Sequence, residues 1–219
     1  MVFKVYLFRH GQTTFNRDEK FTGQSNVYLT KLGISQAESV AQKLKGKDIR
    51  VAIHTSLTRS KQTLRIVLKY HPECRVILQD DRMIERSYGI YEGKTHKWFI
   101  ETAGRQEVEF MRKAGLFDGF SKDALRRVEL KLGKEEYDAV HRGWDVRAPG
   151  GESFADVEKR VWSFFKDLKK FVKRNKVNVA VSAHGNSIRL FRKIVEGASK
   201  EEAIRWFIPF DKFFEYTIR

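Results

Sequence analysis

Cysteine is almost absent: Cys74 stands alone, so no intramolecular disulfide can form, and a reducing cytoplasm is the expected setting. Long apolar runs are absent too. None approaches the roughly 18 residues that span a bilayer, and the opening stretch around Val2 to Gly11 is interrupted too soon for a secretory signal. Metal-ligand spacing is missing among the six histidines, His10, His54, His71, His96, His141 and His184. Asp80-Asp81 is the sole aspartate pair and reads as a polar turn, so a two-metal centre is not expected. Neither a Walker loop nor a Rossmann glycine fingerprint occurs.

Acidic residues are outnumbered, 28 against 43 lysines and arginines, which leaves a net charge of +15. Such a field suits polyanions: nucleic acid, acidic membrane, or a multiply phosphorylated small molecule. The cations are spread through the chain, and their densest stretch, 166–176, reads as the wet face of an amphipathic helix. Charge alone therefore selects no function. With 41% hydrophobic and 32% charged residues, the 219-residue chain is neither disordered nor membrane-like, and its length suits one α/β domain.

Strand-like runs occur at 2–8, 51–54, 75–78, 177–183 and 213–218. Segments of helical period lie between them, at 30–44, 58–69, 153–174, 187–195 and 200–206. The alternation predicts a mostly parallel central sheet with helices on both faces. Ligands in such sheets bind beyond the carboxyl ends of the strands. The two strongest strands run directly into Arg9-His10-Gly11 and His184-Gly185-Asn186, so two histidines fall where this architecture keeps its chemistry. Residues 94–147 differ: they are charged and interrupted by glycines 104, 115, 119 and 133, and predict a helical insertion, or lid, over one sheet edge. Pro149-Gly150-Gly151 breaks the chain before the long helix.

A histidine after a strand is commonly structural, but the neighbours of His10 point to phosphate chemistry. Arg9 offers a guanidinium fork that matches phosphoryl oxygens. Gly11 allows close backbone approach, and Thr13, Thr14 and Asn16 add donors. Surrounding cations lower the imidazole pKa and leave a lone pair for attack.

The stretch from Phe8 to Asn16 resembles the signature of the histidine phosphatase superfamily, the phosphoglycerate mutase-like fold, and other landmarks follow in order. These are Phe21-Thr22-Gly23-Gln24, Leu29-Thr30-Lys31-Leu32-Gly33, Thr55-Ser56-Leu57-Thr58-Arg59-Ser60, Glu85-Arg86-Ser87-Tyr88-Gly89, Gly151-Glu152-Ser153 and the run from Ala183 to Arg189. The resemblance implies one catalytic domain over 1–219, with His10 as a nucleophile that becomes a phosphohistidine. It implies that Arg9, Arg59 and His184 gather the phosphoryl oxygens and that Glu85 is the general acid and base, partly buried with a raised pKa. The plainer alternative for Glu85 is an ion pair with Arg86. Asn16, Thr22, Gly23, Tyr88, Arg142, Gly185 and Asn186 are the implied substrate-binding residues. No metal or tightly bound cofactor is expected.

Members of the superfamily pass the phosphoryl group either to a bound acceptor, as mutases, or to water, as phosphatases. The motifs at 21–23, 85–89 and 184–189 lean to a mutase interconverting 3- and 2-phosphoglycerate, primed by 2,3-bisphosphoglycerate. Three departures lean the other way. His141 stands where the mutases have the first of two arginines. Their active-site lysine has no clear counterpart, with Lys94, Lys97 and Lys122 as candidates. The sequence also ends almost on its last predicted strand, without the tail that covers the mutase site. A phosphomonoester phosphatase is thus the alternative, and a more remote one is a nucleic-acid or acidic-partner binding module on a dead scaffold. Loss of His10, Arg59, Glu85 or His184 would mark the latter, and all four are present. The expected partner is a small phosphorylated substrate, not nucleic acid and not a membrane. Trp206, Phe207, Phe210, Phe213 and Phe214 are expected to complete the core, with a homodimer interface as the alternative.

Overall fold

The computed structural model describes residues 2–218; Arg219, on which the expectation about a missing tail rests, lies outside them. The elements in order are β1 (Phe3–Arg9), α1 (Thr14–Arg17), α2 (Lys31–Leu44), β2 (Val51–His54), α3 (Thr58–Leu68), β3 (Val76–Gln79), α4 (His96–Lys113), α5 (Lys122–Arg142), α6 (Phe154–Asn175), β4 (Val179–Ala183), α7 (Gly185–Glu196), α8 (Lys200–Arg205) and β5 (Phe213–Ile218). The sheet order is β3-β2-β4-β1-β5, parallel throughout except for β5, which runs antiparallel to β1. This is the expected α/β architecture.

Alternation along the strands sorts the core into two layers. Val5, Leu7, Ile53, Val179 and Val181 face α6 and α7, where they meet Val157, Val161, Phe164, Leu190 and Phe191. Tyr6, Phe8, Ala52 and Ala180 face the opposite way, onto Val40, Ala41 and Leu44 of α2 and Leu64 and Val67 of α3. Helix starts follow side-chain capping chemistry. Thr30 caps α2, and Ser153 forms a reciprocal box with Asp156 at the start of α6. Asp80 likewise caps a short 3-10 turn, as expected for a polar turn.

The insertion resolves into the α4–α5 pair. Gly115 and Gly119 lie in the connection between the helices, but Gly104 and Gly133 are mid-helix. A Cβ on Gly104 would come within 1.8 Å of the Glu129 carbonyl oxygen, and one on Gly133 within 1.9 Å of the Ile100 oxygen. These two glycines therefore set a close helix crossing rather than breaking helices. Trp206, Phe213 and Phe214 pack on the core as expected, whereas Phe207 is 71% exposed. Among the described residues, no helix is long and apolar enough to cross a membrane.

Candidate active site

β1 and β4 lie side by side, and the chain leaves them toward opposite faces, into α2 and into α7. That divergence opens a crevice beyond their carboxyl ends. His10 follows β1 directly and its amide donates to the Ala183 carbonyl at 3.1 Å, which ties the two strand ends together. Gly11 is needed here for packing: a Cβ would lie 2.0 Å from the Gly33 carbonyl oxygen, so the turn rests on the first turn of α2. The backbone it approaches closely is thus that of Gly33.

The His10 ring is buried and held at both nitrogens. Nδ1 lies 2.7 Å from the Gly11 carbonyl, which only accepts, so Nδ1 carries the proton. Nε2 is then the lone-pair nitrogen, and it accepts from Arg59 Nε at 3.2 Å. Burial, then the charges of Arg59 and Arg9, hold its pKa well below the ordinary imidazole value. Arg59 is itself fixed by donating to Ser25 O at 2.7 Å and Gly23 O at 2.6 Å. Arg9 stacks on Phe210 at 3.9 Å and donates to Ile208 O at 2.9 Å. Burial lowers both arginines to about 10, with Glu85 opposing, so both are cationic at neutral pH.

Glu85 is buried, and one of its oxygens accepts from the amides of Arg86 at 2.9 Å and Asn186 at 3.1 Å. The second amide belongs to the first turn of α7, where the helix dipole favours a carboxylate. The Arg86 guanidinium turns away from Glu85 and donates to the carbonyls of Val140 and His141, so the plainer reading as an ion pair does not hold. Gly185 sits between the two charges: a Cβ there would be 3.5 Å from both Arg9 Cζ and Glu85 Oε2. Asn16 accepts from Thr13 N and Oγ1 through Oδ1, leaving its Nδ2 as a donor for a ligand. Asn186 Nδ2 approaches Tyr88 Oη at 3.5 Å.

These residues surround a cleft of about 230 Å³. Of the twelve residues expected in the site, eleven line it, namely His10, Glu85, Arg9, Arg59, Asn16, Thr22, Gly23, Tyr88, Arg142, Gly185 and Asn186. His184 stands behind His10, fully buried, with ring centroids 5.1 Å apart and its Nε2 2.8 Å from Thr55 Oγ1. No group of three or more His, Cys, Asp or Glu side chains positioned to hold a metal ion occurs among the described residues.

The family model for the histidine phosphatase superfamily (branch 1) matches residues 5–129 and 122–211. The chain belongs to the histidine phosphatase superfamily. A 2,3-bisphosphoglycerate-dependent phosphoglycerate mutase of Mesorhizobium japonicum is 31% identical over 205 residues, covering 92% of this chain and 85% of that protein. Among solved structures, phosphoglycerate mutase from Bacillus anthracis superposes with a TM-score of 0.66 at 20% identity, over 90% of this chain and 81% of that one. The α-ribazole phosphatase of Shigella flexneri gives 0.65 at 22% identity, over 91% and 83%. The chain is thus a superfamily enzyme, a mutase or a phosphomonoesterase.

Several residues of the cleft wall are not among the twelve expected there. Lys20, Phe21, His96, His141, Arg189 and Phe207 also line the cleft. The lysine candidates Lys94, Lys97 and Lys122 are exposed and none lines it; Lys20 is the lysine that does. Its position next to Phe21 was the available signal. Arg189 also had one, since it lies one helical turn after Gly185 and Asn186 and so shares their face. His141 had one as well, standing where the resemblance implies an arginine, whereas His96, whose ring lies 5.7 Å from that of His141, had none. Burial, with the charges of Arg142 and Arg86, depresses His141 to about 2, so this ring is neutral.

Proposed function

We propose that the enzyme moves a phosphoryl group through a phosphohistidine on His10, most favourably between the 3- and 2-positions of phosphoglycerate. The observation that carries this reading is the pairing of a buried, neutral His10, its Nε2 on Arg59, with a buried Glu85 in the same cleft. Nε2 attacks phosphorus in line, a P–N bond forms, and the P–O bond to the leaving group breaks. Arg9 and Arg59 draw off the charge that builds on the phosphoryl oxygens, with the Gly185 amide as a further donor. His184 backs the nucleophile, its ring fixed by the hydrogen bond between Nε2 and the Thr55 hydroxyl. Glu85 gives a proton to the leaving oxygen, and as carboxylate takes one from the acceptor in the second half-reaction.

Five cations, Arg9, Lys20, Arg59, Arg142 and Arg189, line the cleft against one carboxylate, Glu85. That balance suits a ligand with two anionic groups, as in phosphoglycerate and in 2,3-bisphosphoglycerate acting as primer. The whole chain would act as one catalytic unit, with 94–147 as its cover and Asn16, Thr22, Gly23, Tyr88 and Asn186 contacting substrate. The single cysteine and this chemistry suit the cytoplasm.

Hydrolysis of phosphomonoesters is the second reading, and the neutral His141 favours it because the acceptor end carries one cation fewer than the resemblance implies. Phosphorus NMR with 3-phosphoglycerate and catalytic 2,3-bisphosphoglycerate separates the two. Isomerisation that requires the bisphosphate and His10 is the expected result. Release of inorganic phosphate alone would make the enzyme a phosphatase. No turnover at all would overturn both.

A further inference from the structure

Three arginines of the cleft are held by one short piece of chain. Arg142 Nη1 donates to Ile204 O at 2.9 Å, Arg189 Nε to Trp206 O at 2.8 Å, and Arg9 Nη1 to Ile208 O at 2.9 Å. α8 ends at Arg205, so these carbonyls lie in its last turn and in the irregular segment after it, where a helix leaves acceptors unused. In chain order the three carbonyls hold Arg142, Arg189 and Arg9, so Arg189 stands between the other two along the segment, with Arg9 beside the nucleophile.

None of the three is in an ion pair with a carboxylate among the described residues. Arg189 spends Nη1 on Asn186 Oδ1 at 2.6 Å, which aligns its fork, and its Nη2 has no acceptor among them. Arg142 keeps two nitrogens free in the same way. Burial, then the charges of Arg142 and Arg9, pulls Arg189 down to about 9, as a middle position requires. Unpaired guanidiniums gathered in a half-buried cleft are costly unless a ligand anion completes them. His141, at the position where the resemblance implies an arginine, is uncharged and supplies no such charge.

We propose that Arg189 is a substrate-binding residue which, with Arg142, holds the carboxylate of a small phosphorylated acid whose phosphate lies on Arg9, Arg59 and His10. The inference rests on the phosphoryl-transfer reading above and adds a residue that replaces the missing arginine from a different helix. A planar carboxylate fits a guanidinium fork through two parallel hydrogen bonds.

The test is calorimetric binding of 3-phosphoglycerate and glycerol 3-phosphate, which share the phosphate and differ in having a carboxylate or a hydroxymethyl group. Wild type is expected to prefer 3-phosphoglycerate by about 10- to 100-fold, the range of a charge-assisted hydrogen bond or pair. Arg189→Met should shrink that ratio about tenfold, and Arg189→Lys should restore part of it. A ratio equal to the wild-type value in Arg189→Met, equal weakening of both ligands, or no preference in wild type would each overturn the proposal. Circular dichroism reports folding, and should Arg189→Met fail to fold, Arg189→Lys decides: an undiminished ratio there overturns the assignment. Phosphohistidine formation is scored separately by phosphorus NMR, so its absence would sink the catalytic reading while the binding ratio still judges Arg189.

Discussion

His10 and His184 are imidazoles that the fold keeps neutral, because burial and the nearby guanidiniums of Arg59 and Arg9 oppose a further positive charge. For His10 this suits the proposed attack on phosphorus, since a protonated ring has no lone pair. It also has a consequence for stability. Below the unfolded-state pKa of about 6.5, the unfolded chain takes up protons that the native rings refuse, so acidification favours unfolding. Each such ring removes roughly 1.4 kcal/mol per pH unit below that point, until its own folded pKa is reached. Urea unfolding followed from pH 7 to pH 5 should show this fall, and His10→Gln should make it shallower. An unchanged slope would mean that the native His10 takes up a proton. Arg59 poses a different question, because its fork serves three acceptors at once: His10 Nε2, Gly23 O and Ser25 O. Lysine keeps the charge but not the planar fork. Steady-state kinetics of Arg59→Lys should show kcat lower by about 100- to 1,000-fold, the size of a lost transition-state donor. A loss under tenfold would place Arg59 outside the phosphoryl site.

At the scale of elements, the α4–α5 pair brings His96, His141 and Arg142 to the cleft, and it depends on a backbone contact between two glycines. Gly104→Ala would drive a methyl into the Glu129 carbonyl, and relief requires the helices to separate. A cost of about 1–3 kcal/mol is expected, typical of overpacking. Thermal denaturation should register it as a lower Tm, with a rise in KM as Arg142 moves. An unchanged Tm would mean that the crossing is looser than described. The two helices were legible as helix-favouring sequence, but their glycines read as interruptions. Glycine is ambiguous in one dimension: it marks both a chain break and a close approach, and only the partner helix distinguishes them.

For the whole molecule, the excess of 43 basic over 28 acidic residues is matched in a cleft where cations outnumber carboxylates. Long-range attraction acts on encounter more than on chemistry. Raising ionic strength from about 20 to 200 mM, which shortens the Debye length from roughly 20 to 7 Å, should lower kcat/KM for phosphoglycerate severalfold with kcat nearly constant. A salt-independent kcat/KM would confine the electrostatics to direct contact.

The sheet and its helices were readable because strand and helix periods are local properties of side-chain order, and the five strand-like runs correspond to the five strands within two residues at either end. His10, Arg9, Arg59, Glu85 and the 184–186 turn were readable for a related reason: short motifs at strand and helix ends keep their residues adjacent in the chain. The reach of Arg189 toward Trp206, the neutral wall at His141, the approach of Lys20 and the placing of His184 behind His10 came only from the tertiary structure. Each depends on which distant carbonyl, ring or helix end lies within a few ångströms, and chain order carries no direct record of that distance.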